Sequence, residues 1–340
     1  MAVRITPFLV SVVTVAFLGL YLNHFQTSVI KKITDWVDPK DKSGEFKRQT
    51  SSFRSFISRE AGAEFPPEKD RYHLYVSYAC PWGWRFATPD EHVPGENVTP
   101  DPLHPSFTHL REIYFEANPN YDGRFTVPVL YDKKTKKIVN NESSEIIRMF
   151  YYEFDDLIDE KYKQLDLYPE DLRKEIDETN DWTYNDINNG VYKCGFATTQ
   201  EAYEKALQPL FHALAKAEHH LLLKANPDTP FYLGTSHPTE VDIRLYTTII
   251  RFDPVYVQHF KTNLKDIRSG FPALHRWLRM CYWDLEAFSG TTQFEHIKKH
   301  YTKSHKQINQ FSITPVGPLP NIMGKDEEVM AAKAMQHHHL

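Results

Sequence analysis

Of three cysteines in the chain, Cys80 has the setting in which a thiol can act on a substrate. The stretch Tyr72 to Tyr78, YHLYVSY, is aromatic and β-branched and runs into Ala79-Cys80-Pro81, which reads as a strand ending in a turn. A free thiol titrates near about 8.5, so at neutral pH it needs a helix N-terminus or a nearby cation to become a thiolate. A buried structural cysteine is the other reading of this context. Further on, Thr126-Val127-Pro128 enters a second strand. Either the Val127-Pro128 bond is cis and exposes the Val127 backbone to a ligand, or the proline is trans on an edge strand. Glu142 and Ser143 then open a helix. Free N–H groups and a hydroxyl there suit a ligand carboxylate, and Glu142 suits an ammonium group, although plain capping is the commoner role of such a pair. Thr239 and Asp242 form a capping box with a structural role. His296 and His300 lie one turn apart with neither a metalloprotease Glu nor a third ligand, so no metal is expected.

The elements that must carry these residues follow from periodicity. From Asp35 to about Arg71 the chain is a polar, mostly extended arm, with one short helix expected near Ser52 to Ser58. Residues 84–107 read as an irregular loop rich in proline. FTHLREIYFEAN is a short helix with Leu110, Ile113 and Tyr114 on one face, stopping before Pro119. FTVPVLYD and KKIVNN form a hairpin around a Lys-rich turn, and ESSEIIRMFYYEF is an amphipathic helix. Beyond Pro169 the pattern repeats at three and four residues through four long segments. The expected architecture is therefore a small α/β domain followed by an all-helical one.

Composition narrows the function. Hydrophobic residues make up 41% and charged residues 25%, ordinary globular usage, and 340 residues suffice for two cores. The net charge of -5, with no strongly basic patch, excludes nucleic acid as the expected partner. Three cysteines in unrelated contexts give no disulfide framework and fit a reducing compartment. Ile5 to Leu22 is an uncharged run just long enough to span a bilayer. A membrane anchor, a cleaved targeting segment and a wrongly assigned start all fit it.

The order of these features, strand-Cys-Pro, then VP entering a hairpin, then Glu-Ser opening a helix, then an all-helical half, is that of a glutathione transferase. The motifs YVSYACPW, GWRFATPDE, GRFTVPVLYD, NNESSEIIRMFY, NNGVYKCGFA and DIRLYTTIIRFDPVYVQHFK resemble the fungal glutathionyl-hydroquinone reductases, an Xi-class, omega-like group, from about Ile33 to Asn309. The resemblance implies a thioredoxin-like domain over 33–150, a linker at 151–164 and an all-helical domain over 165–310. Residues 1–32 would be an anchor or targeting segment and 311–340 a polar tail. It implies Cys80 as nucleophile and Tyr192 as proton donor or acceptor. Trp84, Arg124, Phe125, Thr126, Val127, Glu142 and Ser143 would hold glutathione. Tyr256 and Tyr301 would line the site and favour the Cys80 thiolate. A homodimer is implied, cytoplasmic or, through its N-terminal segment, membrane-anchored or mitochondrial.

One departure stands out. In the family a helix and a strand lie between ACPW and GWRF, whereas here Gly83 follows Trp82 directly. Most of a β-α-β unit, about 30 residues, is absent, including the helix that should activate Cys80 and a strand expected inside the sheet. Two alternatives therefore accompany the hydroquinone reading. One is an omega-class-like thiol transferase or dehydroascorbate reductase; the other is a catalytically impaired binding protein with this fold.

Overall fold

The computed structural model describes residues 42–77, 79, 101–163, 165–325 and 327. Cys80, Trp84, the Trp82–Gly83 junction and the run Ile5 to Leu22 lie outside these. The sheet half contains β1 (Tyr72–Tyr75), α1 (Leu110–Ala117), β2 (Val129–Asp132), β3 (Lys137–Asn140) and α2 (Ser143–Tyr152). The strands form one antiparallel sheet in the order β1-β2-β3. Central β2 is buried at all four positions, as expected of the unbroken apolar run VLY between two covered faces. Pro128 precedes the strand and so removes no ladder hydrogen bond. The Val127-Pro128 bond is cis.

The sequence placed the missing strand inside the sheet, and the structure corrects this. β1 pairs with β2 through four consecutive residues, Tyr72 opposite Asp132 to Tyr75 opposite Val129. Paired strands lie only about 4.8 Å apart, so nothing fits between them. The outer edge of β3 is taken by the arm: Ser55 N–H donates to Val139 O at 3.0 Å, Asn141 N–H donates to Phe53 O at 3.0 Å, and Arg54 bridges Asn140. The arm helix expected near Ser52 to Ser58 is likewise absent, because these residues run extended along β3 and bury Ile57. An open sheet edge offers the backbone partners that a short isolated helix lacks.

The two faces of the sheet are covered unequally. On one, α1 presses Leu110, Ile113 and Tyr114 against Tyr75, Val129, Tyr131 and Ile138. Residues 101–107 are tied to this side by Asp101, which accepts from the Tyr75 hydroxyl at 2.9 Å and the Leu103 N–H at 2.9 Å. On the other face, α2 brings Ile146 and Met149 onto Leu130 and Val139. Beside α2 a groove of about 430 Å³ remains, lined by Tyr72, Leu74, Leu130, Phe150, Phe154 and Ile158. A second helix packed on this face would fill that space.

The helical half is built on α3 (Arg173–Trp182), α4 (Gly190–Gly195), α5 (Gln200–Lys224), α6 (Glu240–Arg251), α7 (Pro272–Asp284) and α8 (Phe294–Ser304). Single wide turns, Thr183–Asn188 and Phe252–Tyr256, continue α3 and α6. One continuous core runs through the whole half. The Thr239–Asp242 capping box forms as expected, and Asp242 also accepts from the Tyr232 N–H at 2.8 Å and Trp277 Nε1 at 2.9 Å. Gly195 lets the Phe260 ring approach so closely that a Cβ would lie 2.1 Å from it. Part of the stretch expected to be a polar tail packs here too. Lys298 Nζ donates to Val316 O, Trp283 Nε1 donates to Met323 O at 3.0 Å, and Ile322 joins the core. Among the described residues no helix is long and apolar enough to cross a membrane.

Candidate active site

A cleft of about 830 Å³ lies between the two halves. Its sheet-side wall contains Arg124, Thr126, Val127, Glu142 and Ser143, five of the residues expected to hold glutathione. Local packing explains how they are held. The buried Tyr114 hydroxyl donates to Thr126 O, accepts from Thr126 N–H at 3.2 Å and accepts from Asn141 Nδ2 at 3.1 Å. Burial pushes this phenol up to about 12, so it keeps its proton. The neighbouring Tyr121 hydroxyl donates to Arg124 O at 2.9 Å. Glu142 is the N-cap of α2 and accepts from Ser144 N–H at 3.4 Å and Ser51 Oγ at 2.9 Å. It thus caps the helix while facing the cleft, so the two readings of this residue are compatible. Phe125 does not line the cleft. It packs with Tyr114, Phe115 and Tyr121, its ring centroid 5.3–5.7 Å from theirs.

The helical side supplies Tyr184, Asn185, Asn189 and Lys193. The arm closes the remaining side with residues 46 and 48–52, none of which the sequence reading marked. Gly44, at φ 71°, packs where a Cβ would meet Thr199 at 2.5 Å, and Phe46 stacks on Tyr192 and packs tilted against Phe196. Arg48 Nη1 donates to Asn189 Oδ1 at 3.0 Å, with its guanidinium 5.7 Å from the Tyr192 ring centroid. The arm is therefore bonded to both halves. The signal that could have found it is the glycine and aromatic spacing of SGEFKR, which suits a pinned segment better than a free linker.

Tyr192, Tyr256 and Tyr301 come together from α4, the turn after α6, and α8. The Tyr301 hydroxyl lies 2.7 Å from that of Tyr192 and 2.9 Å from that of Tyr256. All three rings are buried, and none lines the cleft directly; Tyr192 meets its wall through Phe46 and Arg48. Behind them His259 Nε2 and His305 Nδ1 share a hydrogen bond at 3.1 Å. Burial lowers His259 to about 4 and His305 well below its ordinary value, so both rings are neutral at pH 7. Cys194 and Cys281 are buried, and burial pushes the Cys194 thiol up to about 12 and Cys281 well above the usual range. Neither can serve as a thiolate. Ala79, the residue before Cys80, is buried, and its carbonyl accepts from Arg251 Nε at 3.3 Å. Among the described residues no group of His, Cys, Asp or Glu is arranged to hold a metal ion.

Known proteins are similar to this chain in sequence and fold. Residues 200–279 match the family described as glutathione S-transferase, C-terminal domain. A glutathione S-transferase omega-like 2 of Schizosaccharomyces pombe is 52% identical, covering 85% of this chain and 97% of its own. That alignment spans 314 positions, whereas 85% of the 340-residue chain is about 289, so about 25 positions have no counterpart here. This is close to the size of the β-α-β unit that the resemblance implies is missing after Trp82. The glutathionyl-hydroquinone reductase YqjG of Escherichia coli is 42% identical over 84% of this chain and 93% of its own. Among solved structures, the Xi glutathione transferase ECM4 of Saccharomyces cerevisiae in complex with glutathione superposes with a TM-score of 0.75. It shares 40% identity over 81% of this chain and 99% of its own.

Proposed function

Because the chain belongs to the Xi-class, omega-like glutathione transferases, we propose that it reduces glutathionyl-hydroquinones to hydroquinones through a mixed disulfide on Cys80. In this reading Glu142 takes the ammonium of glutathione. Ser143 and the α2 N-terminus take the adjoining carboxylate, Arg124 to Val127 align the tripeptide backbone, and Trp84 is the further contact that the family resemblance implies. The Cys80 thiolate attacks the glutathionyl sulfur. A sulfur–sulfur bond forms, the carbon–sulfur bond breaks, and its electron pair leaves with the ring, which takes a proton from Tyr192. A second glutathione, as its thiolate, then attacks the mixed disulfide, releasing oxidised glutathione and the Cys80 thiolate.

The observation that supports the hydroquinone over a generic thiol substrate is the row of three buried tyrosine hydroxyls behind the arm side of the cleft, where Tyr192 meets Phe46 and Arg48. Such a row can accept a proton at one end while releasing one at the other, which proton delivery to a departing ring requires. The test is the intact mass of the protein after incubation with a glutathionylated hydroquinone and no free glutathione. A gain of one glutathionyl group, lost in Cys80→Ser together with turnover, is expected. Unmodified Cys80 alongside undiminished turnover contradicts the mechanism. Inserting the missing β-α-β unit after Trp82 should raise the rate, since a helix N-terminus next to Cys80 favours the thiolate.

A further inference from the structure

Tyr256 and Tyr301 reach each other from two separate elements, the wide turn Phe252–Tyr256 and α8. Their rings meet edge to face with centroids 5.5 Å apart. Such packing tolerates centroid separations of about 4.5–7 Å, whereas a bond between two hydroxyls needs about 2.5–3.0 Å. The 2.9 Å bond between them therefore asks for a closer register than ring packing alone sets.

Two cations tie both elements to one stretch of chain. On α8, Lys298 lies three residues before Tyr301 and is only 8% exposed. Its Nζ donates to Val316 O at 2.6 Å and to Asn321 Oδ1 at 3.2 Å. Taking an ammonium out of water is costly unless it is hydrogen-bonded, and these two acceptors offset that cost. In the wide turn, Asp253 lies three residues before Tyr256 and accepts from the Ile267 N–H at 2.7 Å and from Arg268 Nε at 3.1 Å. Arg268 Nη2 carries the link onward, donating to Pro320 O at 3.0 Å and to Asn321 O at 3.2 Å. Asn321 thus accepts from both cations, through its side chain from one and its main chain from the other. A second tie between α8 and the same stretch is the 2.8 Å contact of the Thr302 and Thr314 hydroxyls.

We propose that Lys298 and Arg268 are positioning residues: by gripping residues 316–321 together they clamp α8 to the wide turn after α6 and so set the Tyr256–Tyr301 hydroxyl bond. The consequence for turnover rests on the proposed role of the tyrosine row in delivering a proton to the hydroquinone. On this account the first part of the stretch beyond residue 310 is a brace for the site, gripped from both of the elements that carry these tyrosines.

The test incorporates fluorotyrosine at position 301 of the full chain and follows its fluorine resonance, which reports the bonding of that hydroxyl without turnover. Urea unfolding checks that each variant is folded. Lys298→Met and Arg268→Met should each shift the resonance, and Lys298→Arg, which can still donate to Val316 and Asn321, should return it towards the native position. In single-turnover kinetics Lys298→Met should slow hydroquinone release about tenfold or more and change the pH profile of that step, with glutathione affinity held within about threefold. An unchanged resonance in folded Lys298→Met overturns the proposal. Should that variant fail to fold, Asn321→Ala decides instead: it removes one acceptor at a half-buried position, and an unchanged resonance there overturns the proposal as well. A shifted resonance with hydroquinone release untouched leaves the clamp standing and counts against the tyrosine row as the proton source.

Discussion

The two halves of the molecule hold their share of the site by different means. In the helical half, Tyr192, Tyr256 and Tyr301 sit inside one continuous core, each ring packed against Phe260 and the three hydroxyls bonded in a row. In the sheet half the core is split in two by the sheet, and one face is only partly covered. Its cleft residues are held by local hydrogen bonds from Tyr114, Tyr121 and Ser51. The difference separates a fully packed helical half from a sheet half whose second face is open beside α2.

If the division is right, the helical half should govern proton transfer alone. Tyr192→Phe should slow hydroquinone release by about 10²-fold or more while glutathione affinity stays within about threefold, measured by single-turnover kinetics and calorimetry. A matched loss of glutathione affinity would break the division. Stability should be unequal across the sheet. Ile113→Ala, on the covered face, should cost about 2–5 kcal/mol in urea unfolding. Leu74→Ala, beside the groove, should cost about 1 kcal/mol, because its neighbourhood is already open. Equal costs would mean that the groove is closed in solution. The helical core has its own signature, a pH response. Folded His259 titrates near 4 and its unfolded value is 6.5, so the unfolded chain binds the extra proton between these limits. Stability is therefore full above pH 6.5 and falls as the pH drops towards 4, by about 2 kcal/mol from this residue at pH 5. His259→Gln should flatten the dependence of the urea midpoint on pH across that window.

Much of the sheet half was legible because its elements answer to local rules. The hairpin shows in the apolar run VLY and the Lys-rich turn, and α1 shows in the shared face of Leu110, Ile113 and Tyr114. The arm was misread because the spacing of Phe53 and Ile57 suits a helix as well as a strand, and only the open edge of β3 decides between them. Tyr192, Tyr256 and Tyr301 have no shared spacing at all. They come from three distant segments and emerged through family resemblance rather than periodicity. Arg48, Ser51 and Asn189 escaped because the arm's passage across the cleft is a tertiary event, as is the packing of Ile322.

The arm that closes the cleft makes ligand entry a mechanical matter. It is stapled to the helical half by Phe46 and Arg48, and to the sheet half by Ser51 and the ladder with β3. The cleft therefore cannot widen by one half swinging freely against the other. The weakest staples lie at its mouth, where the Arg48–Asn189 and Ser51–Glu142 bonds are only partly buried, each worth about 1–3 kcal/mol at most. Phe46, seated in the aromatic core, is far harder to withdraw. Opening should therefore begin between residues 48 and 52, with Phe46 and the β3 ladder acting as fixed hinge pins on either side.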